Sequence, residues 1–411
     1  MLKKLDIVHN SAMRLALGAF RTSPIVSLTY ESHEWPPDLR RDSLLLNTYI
    51  RLKSSPHLPI SSAISNQRHP LHEKSFLSTL NRLLNLLNID IPPLPTNYLP
   101  SLPPWTHRPF NIDNSLADLG KNAPSVLINI SFAEMLSRYP NHKVLYTDGS
   151  KSVFGVGCSV VDSDASTIRY SLPTYFTILS AELYAIWLAI QSNRYSRCAI
   201  LICTDSLSSI AVISAFRSRF QHPIAKEIIR EIVALPNEVT LAWIPGHRGL
   251  RGNAQAHDAA KDATTQFPTP RISTPLCDIK HHIKNRLRAV YYDRWSQVPS
   301  TNKLKEIKHQ AQPWATSFRT NRREEVAICR LRIGHTHLTH SHLMNKSPPP
   351  QCTQCNEPIT AHHVLIQCPK YRLLRQKFHL PVSLPSLLKD DPIVINNLIS
   401  FLRSSGLLSL I

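Results

Sequence analysis

Three acidic residues in the middle of the sequence are placed so that together they could hold a divalent cation. Asp148 follows an apolar run at residues 144–146, and Asp205 ends a second, mostly apolar run that begins at Ala199. Glu182 lies between them, in a stretch whose apolar residues recur at helical spacing. Mg²⁺ takes oxygen ligands and is usually shared with substrate phosphates. Two such ions can stabilise the attacking and leaving oxygens of a phosphodiester cleavage.

The elements that must position these acids alternate between strands and helices. Three strands joined by short turns form an antiparallel meander, and later strands follow helices, which implies parallel pairing. The pattern therefore predicts an α/β fold with a mixed five-stranded sheet and flanking helices. The carboxyl ends of parallel strands form the ligand crevice in such sheets, so Asp148 and Asp205 would meet there. The predicted strands are 143–147, 154–161, 167–172, 199–204 and 239–243, and the predicted helices are 177–193, 206–217, 223–234 and 251–264.

The charge balance favours a polyanionic partner. The 411 residues include 47 Lys and Arg against 28 Asp and Glu, a net charge of +19. Cations near phosphates release condensed counterions, so nucleic acid is the preferred partner, and a solvated basic surface is the alternative. Protein partners cannot be inferred from the sequence.

The sequence predicts an intracellular protein, cytoplasmic or nuclear and not secreted. It has no run of 18 or more apolar residues, and its first residues lack the apolar core of a signal peptide. Five of the eight cysteines are scattered singly, which is typical of reduced thiols. No membrane partner is therefore expected.

Four regions are predicted along the chain. Residues 1–60 carry helical apolar periodicity, and residues 61–140 form a proline-rich linker with one helix candidate near 76–87. The α/β domain spans 141–267. Residues 272–411 form a basic helical region, in which residues 272–347 hold 14 Lys and Arg against 5 Asp and Glu.

The α/β segment resembles type-1 ribonuclease H domains. The resemblance rests on Asp148 at its strand end, on SAEL around Glu182, on CTDS around Asp205 and on WIPGHRGLRGN at residues 243–253. It implies cleavage of the RNA strand of RNA–DNA hybrids with two Mg²⁺ ions. By position, Asp148 would bridge both ions, Glu182 and Asp205 would hold the first, and His247 would assist proton transfer and product release.

One position departs from the family pattern. The last helix reads GNAQAHD, so the fourth expected metal carboxylate is replaced by His257, with Asp258 turned about 100° further round the helix. Imidazole suits Mn²⁺ or Zn²⁺ better than Mg²⁺, so the second ion would bind weakly. The resemblance thus leaves two readings: an active endonuclease that uses Mg²⁺ or Mn²⁺, or a catalytically weakened nucleic-acid-binding remnant.

A second constellation has the spacing of a zinc site. Cys352 and Cys355 form a Cys-x2-Cys pair, and Cys368 follows two adjacent histidines. Three cysteines and one histidine can close a tetrahedral structural Zn²⁺ site, with His363 as the better third ligand and His362 as the other candidate. Unmetallated thiols are the alternative. A weaker reading makes this cluster the functional part and the α/β domain its scaffold.

The flanking regions resemble parts of jockey-type non-LTR retrotransposon polyproteins. The segment RLALGAFRTSP at residues 14–24 is similar to their sequence beyond the reverse transcriptase. The segment CRLRIGHT at residues 329–336, together with the cluster at 352–368, is similar to the sequence after their ribonuclease H. The resemblance implies that this chain corresponds to the 3′ portion of such a reading frame. Arg330 and Arg332 either face solvent on a helix or contact phosphate.

Overall fold

The computed structural model describes most of the chain. The described residues are 2–65, 75–92, 94, 109–119, 123–164, 166–215, 222–268, 273–317 and 319–411. The proline run predicted as a linker between Pro92 and Pro109 therefore lies almost entirely outside the described residues. The last two residues of the predicted helix 206–217 also lie outside them.

Helices and strands are named here in chain order. The described elements are α1 (Leu2–Leu17), α2 (Ile25–Glu31), α3 (Pro37–Lys53), α4 (Pro59–Ser65), α5 (Phe76–Leu87), β1 (Asn111–Asp113), α6 (Ser125–Ser137), β2 (His142–Lys151), β3 (Val156–Asp162), β4 (Thr167–Leu172), α7 (Ile178–Ser192), β5 (Ala199–Thr204), α8 (Leu207–Ser214), α9 (Pro223–Ala234), β6 (Val239–Trp243), α10 (Arg251–Ala263), α11 (Leu276–Ser296), α12 (Lys303–Ile307), α13 (Arg322–Ile333), α14 (His337–Asn345), α15 (Arg372–Lys377), α16 (Leu384–Leu388) and α17 (Pro392–Ser404).

The central sheet is mixed, as the sequence predicts, and helices flank it. Its strand order is β1-β6-β5-β2-β3-β4. The pairs β2–β3 and β3–β4 are antiparallel, whereas β5 pairs in parallel with both β2 and β6. The sixth strand, β1, pairs in parallel with β6 and comes from the region predicted as linker. Its three residues are too few to show the alternation of a strand in the sequence.

Burial of the sheet explains why its central strands are continuously apolar. Ile200, Leu201 and Ile202 of β5 are fully buried, because a central parallel strand is covered on both faces. On one face, α7 packs against β2 and β3, and its residues 180–190 are all buried. This packing fixes the helix that carries Glu182 directly over the strand that carries Asp148.

The chain divides into two compact units. One comprises residues 45–285 and contains the sheet. The other comprises residues 1–44 and 286–411, so helices from the two ends of the chain fold together. Within the described residues, no helix has both the length and the apolarity needed to cross a membrane.

The unit formed by the two chain ends contains a buried ionic network. Arg332 on α13 is fully buried, and its Nη1 lies 3.8 Å from Oε1 of Glu31 on α2. Its Nη2 donates to Thr316 Oγ1 at 2.8 Å, while Trp314 Nε1 donates to Glu31 at 2.7 Å. Both sequence-based expectations for Arg332 are therefore wrong: its guanidinium meets neither solvent nor a ligand phosphate, because it compensates a buried carboxylate.

Removing the charge of Arg332 should destabilise this unit strongly. In Arg332→Met, the Glu31 carboxylate keeps the nearby buried Lys308 but loses its paired guanidinium, and breaking such a pair from one side costs about 3–5 kcal/mol. Urea unfolding, followed by near-UV circular dichroism, should show the loss. Arg323→Ala, on an exposed position of the same helix, is the control and should change little. Equal effects of the two substitutions would contradict the structural role of Arg332.

Candidate active site and metal centre

Parallel pairing of β2 and β5 brings two of the predicted acids together. In the strand register, Thr147 lies opposite Thr204, so the next residues are Asp148 and Asp205. Asp148 is only 3% exposed. The two carboxylates therefore meet where the pairing of β2 with β5 ends, as the sequence predicts. The predicted end of the strand at residue 147 is wrong, because β2 continues to Lys151 through its pairing with β3.

A glycine allows the third acid to approach. A Cβ at Gly149 would lie 2.6 Å from the backbone nitrogen of Glu182, so only glycine lets α7 come this close to β2. The N-cap residue Thr177 starts the helix, with its side chain accepting a hydrogen bond from the Ser180 N–H. Glu182 consequently faces Asp148 from one turn inside the helix.

Asp205 is held by its own surroundings. Its carbonyl accepts a hydrogen bond from Trp243 Nε1 at 3.1 Å, which ties the end of β5 to the end of β6. Gly246 lies so close that a Cβ there would collide with the Asp205 carboxylate. The loop after β6 therefore packs directly against the acidic cluster.

The three acids form one cation-sized group. One carboxylate oxygen from each of Asp148, Glu182 and Asp205 lies within 4.8 Å of the other two. Burial, followed by repulsion from the neighbouring acids, raises the pKa of Glu182 to about 9. Burial and Asp205 likewise raise the pKa of Asp148 to about 6. A bound divalent cation would relieve this repulsion.

The donor set fits a hard cation. Oε2 of Glu182 is buried and has no hydrogen-bond partner, although buried carboxylate oxygens are normally satisfied. The group offers oxygen ligands only, and Asp205 is its one partly exposed member. Mg²⁺ and Mn²⁺ match this chemistry.

His257 joins the group through Asp148 alone. Its Nδ1 lies 3.3 Å from Oδ2 of Asp148, and the side chain is 38% exposed. His257 does not belong to the compact three-carboxylate set, so a ligand position shared by Asp148 and His257 would be a separate one. Asp258 is exposed on the neighbouring face of α10.

His247 lies beside His257. The two imidazole rings are 4.8 Å apart in a T-shaped contact. His247 has a φ of 57°, a left-handed backbone conformation that non-glycine residues adopt rarely and mostly at turns or functional sites. The structure thus brings all five predicted residues of this site together: Asp148, Glu182, Asp205, His247 and His257.

Comparison with known families agrees with this geometry. Residues 140–265 match the family model described as RNase H. The match supports an RNase H domain in this segment. The match covers less than half of the chain, and it encloses all five residues of the candidate site. It leaves the N-terminal helices and the Cys/His cluster outside.

The Cys/His cluster converges on one point. Cys352 Sγ and Cys355 Sγ lie 3.8 and 3.9 Å from Cys368 Sγ. Sulfur atoms about 2.3 Å from a tetrahedral Zn²⁺ are about 3.8 Å apart, so the spacing suits one ion. All three thiols are free, and His363 completes a group whose ligand atoms lie within 4.8 Å of each other.

His363, and not His362, points into this cluster. His363 is 2% exposed and its Nε2 has no hydrogen-bond partner, whereas His362 is exposed. Its Nδ1 lies 3.1 Å from Oε2 of Glu357. A carboxylate in this place fixes the tautomer that leaves Nε2 free to bind metal. Glu357 is a supporting residue that the spacing of the ligands does not reveal.

The thiols differ in acidity. Interaction with the neighbouring His363 side chain lowers the pKa of Cys352 to about 6. Burial and the neighbouring thiols raise the pKa of Cys355 to about 12. Three adjacent thiolates repel each other, so full ionisation of the set requires a cation.

A third group of potential metal ligands is not predicted from the sequence. The ligand-type atoms of His222, Cys277 and Asp278 also lie within 4.8 Å of one another. His222 precedes the other two by more than fifty residues, so no local spacing signals the contact.

Proposed function

We propose that the RNase H domain cleaves the RNA strand of RNA–DNA hybrids by metal-dependent hydrolysis. The observation that carries the proposal is the close group of Asp148, Glu182 and Asp205, in which Asp148 and Glu182 are buried with raised pKa values and Glu182 Oε2 has no hydrogen-bond partner. The net charge of +19 supports a nucleic-acid substrate.

The side chains divide the work by position. Asp148, Glu182 and Asp205 would hold the first ion, and Asp148 and His257 would hold the second. Two bound Mg²⁺ ions would supply an activated water and charge stabilisation at the leaving oxygen. His247, on the loop after β6, would move a proton between the site and solvent, since an imidazole nitrogen can both accept and donate a proton.

Hybrid cleavage with purified full-length protein tests the proposal. A labelled RNA–DNA hybrid should be cut in its RNA strand with Mg²⁺ or Mn²⁺, whereas duplex DNA and single-stranded RNA should stay intact. Cleavage that persists in EDTA, or none with either metal, would refute it. Binding of the hybrid without cleavage would favour a nucleic-acid-binding remnant.

The side chain at position 257 decides between these two functions. With Nδ1 facing Asp148, the imidazole can donate a hydrogen bond where the family pattern has a carboxylate. His257→Asp should raise Mg²⁺-dependent cleavage by about tenfold or more, because the second ion then gains an oxygen ligand, and the wild type should prefer Mn²⁺. Steady-state cleavage in each metal measures this effect.

Asp258→Asn is the matched control, because Asp258 is the exposed neighbour on the same helix. It should leave cleavage unchanged. Full Mg²⁺ activity of the wild type that is insensitive to His257→Asp, but lost in Asp258→Asn, would identify Asp258 as the ligand instead.

We also propose that Cys352, Cys355, His363 and Cys368 bind one structural Zn²⁺. The converging sulfurs and the free Nε2 of His363 support it. Four protein ligands leave no open position, so this site stabilises the fold and does not catalyse a reaction. Origin of the chain from a jockey-type retroelement remains a prediction from the resemblance of its flanking segments.

A further inference from the structure

The group of His222, Cys277 and Asp278 resembles a metal site in composition, but its side chains are engaged in hydrogen bonds within the protein. Nδ1 of His222 accepts a hydrogen bond from the backbone N–H of Ile224 at 3.3 Å. A neutral imidazole then carries its proton on Nε2, which faces Ser180 Oγ at 3.1 Å and Cys277 Sγ at 3.4 Å. That nitrogen has no lone pair left for a metal ion.

Asp278 is the central residue of this group. It lies in the first turn of α11 and is 1% exposed. Its Oδ2 accepts the backbone N–H of Thr177 at 3.1 Å, and its Oδ1 lies 3.1 Å from the Thr177 hydroxyl. Burying a carboxylate is costly without such partners, so these two bonds fix Asp278 and Thr177 relative to each other.

Thr177 is the residue from which α7 starts. Its Oγ1 accepts the Ser180 N–H at 3.3 Å as the helix N-cap. Glu182 lies five residues after Thr177, within the next turn. Because a helix moves as a rigid element over so short a distance, the position of Thr177 sets that of the Glu182 carboxylate.

The strand that carries Asp148 also contacts the turn that precedes α7. Lys151, three residues after Asp148 on β2, donates from Nζ to the carbonyls of Thr174 at 3.2 Å and Phe176 at 2.6 Å. Burial lowers the pKa of Lys151, and the charge of Asp278 opposes that shift. The turn before α7 is thus held between β2 and α11.

We propose that Asp278 is a positioning residue for the nuclease site. By holding Thr177, it keeps Glu182 at the distance from Asp148 and Asp205 that one cation requires. The proposal rests on the proposed nuclease function, and it extends the working unit beyond residue 265, where the family match ends. Asp278 touches no substrate and acts only through α7.

Asp278→Ala in the full-length protein tests this role. We expect kcat for hybrid cleavage to fall by about tenfold to a hundredfold, since a misplacement of about 1 Å can have that effect, with KM for the hybrid unchanged. The Mn²⁺ concentration for half-maximal activity should rise. Amide hydrogen exchange in residues 174–183 should accelerate, and this readout requires no cleavage.

Two further variants keep the test decisive. Asp278→Asn keeps the shape and can still hydrogen-bond Thr177, so it should restore most of kcat and of the exchange protection. Cys277→Ala removes a neighbouring side chain but leaves the Asp278–Thr177 bonds intact, so it should resemble the wild type. Equal loss in Cys277→Ala, with bound metal lost as well, would show a metal site and overturn the proposal.

Failure of the proposed function gives a different result. A wild type that cleaves no hybrid, while Asp278→Ala still accelerates exchange at residues 174–183, would refute the nuclease and leave the structural link in place. Unchanged exchange and unchanged kcat in Asp278→Ala would refute the positioning role alone.

Discussion

Asp148→Asn should reduce hybrid cleavage by on the order of a thousandfold or more, because removal of even one electrostatic group from an active site costs ~10²–10³. Asp148 is the acid shared by the three-carboxylate group and by His257. The amide keeps the shape of the side chain but removes a charged oxygen from both ligand positions. Single-turnover cleavage in Mg²⁺ and in Mn²⁺ measures the loss.

The fold should survive this substitution. The pKa of Asp148 is raised to about 6 by burial and by Asp205. When the pKa of a carboxyl group is higher in the folded state than in the unfolded state, the fold loses stability as the pH rises from the unfolded-state pKa to the folded-state pKa. That loss of stability persists at higher pH. At pH 7 the uncharged amide should therefore keep or raise the melting temperature of the metal-free protein.

Asp258→Asn is the matched control, with the same chemical change on an exposed carboxylate of the same domain. It should retain wild-type cleavage. Retention of wild-type cleavage by Asp148→Asn would show that the site assignment is wrong, whereas a lowered melting temperature would mean that Asp148 is needed mainly for folding.

Cys352→Ser and His363→Ala should each remove bound zinc. The wild type, purified without chelator, should carry about one Zn²⁺ per chain. Loss of one of four ligands should unfold the segment around residues 350–368, because structural zinc binding and folding are coupled, with apparent binding energies of about 10–16 kcal/mol. Metal analysis gives the stoichiometry, and hydrogen exchange over this segment reports its folding.

Two controls separate a ligand from a bystander. His362→Ala alters the exposed histidine next to His363 and should retain zinc. Cys198→Ser removes an exposed cysteine elsewhere and should retain it too. Wild-type protein without zinc would refute the site. Loss of zinc in His362→Ala, with zinc kept in His363→Ala, would show that His362 and not His363 is the ligand.

The two proposed metal sites differ in the number of protein ligands that they offer. The Cys/His cluster offers four ligands and would close around its ion, so its ion contributes folding energy. The carboxylate group offers three ligands, and under the proposed function position 257 would determine whether a second ion is held. If His257 donates a hydrogen bond to Asp148, it stabilises that carboxylate but supplies no metal ligand. This is the physical reason why the domain would be a catalytically weakened nucleic-acid-binding remnant.

Much of the candidate site could be predicted from the sequence. Asp148 and Asp205 follow or end apolar runs, and the helical periodicity around Glu182 places a helix between them. Parallel strands end at one edge, so three local patterns were sufficient to predict the convergence that the structure shows. The second cluster was also predictable, because Cys352, Cys355 and Cys368 lie close together in the sequence.

Only the tertiary structure decided the remaining contacts, because they join residues far apart in the chain. Nothing near Arg332 signals that Glu31, some three hundred residues earlier, lies beside it in the unit built from both chain ends. The bond from Asp278 to Thr177 and the pairing of β1 with β6 also join residues more than a hundred positions apart. The choice of His363 over His362 depended on burial and on Glu357. Short-range patterns determine which residues can do chemistry, whereas long-range packing decides which of them are desolvated, partnered and held in place.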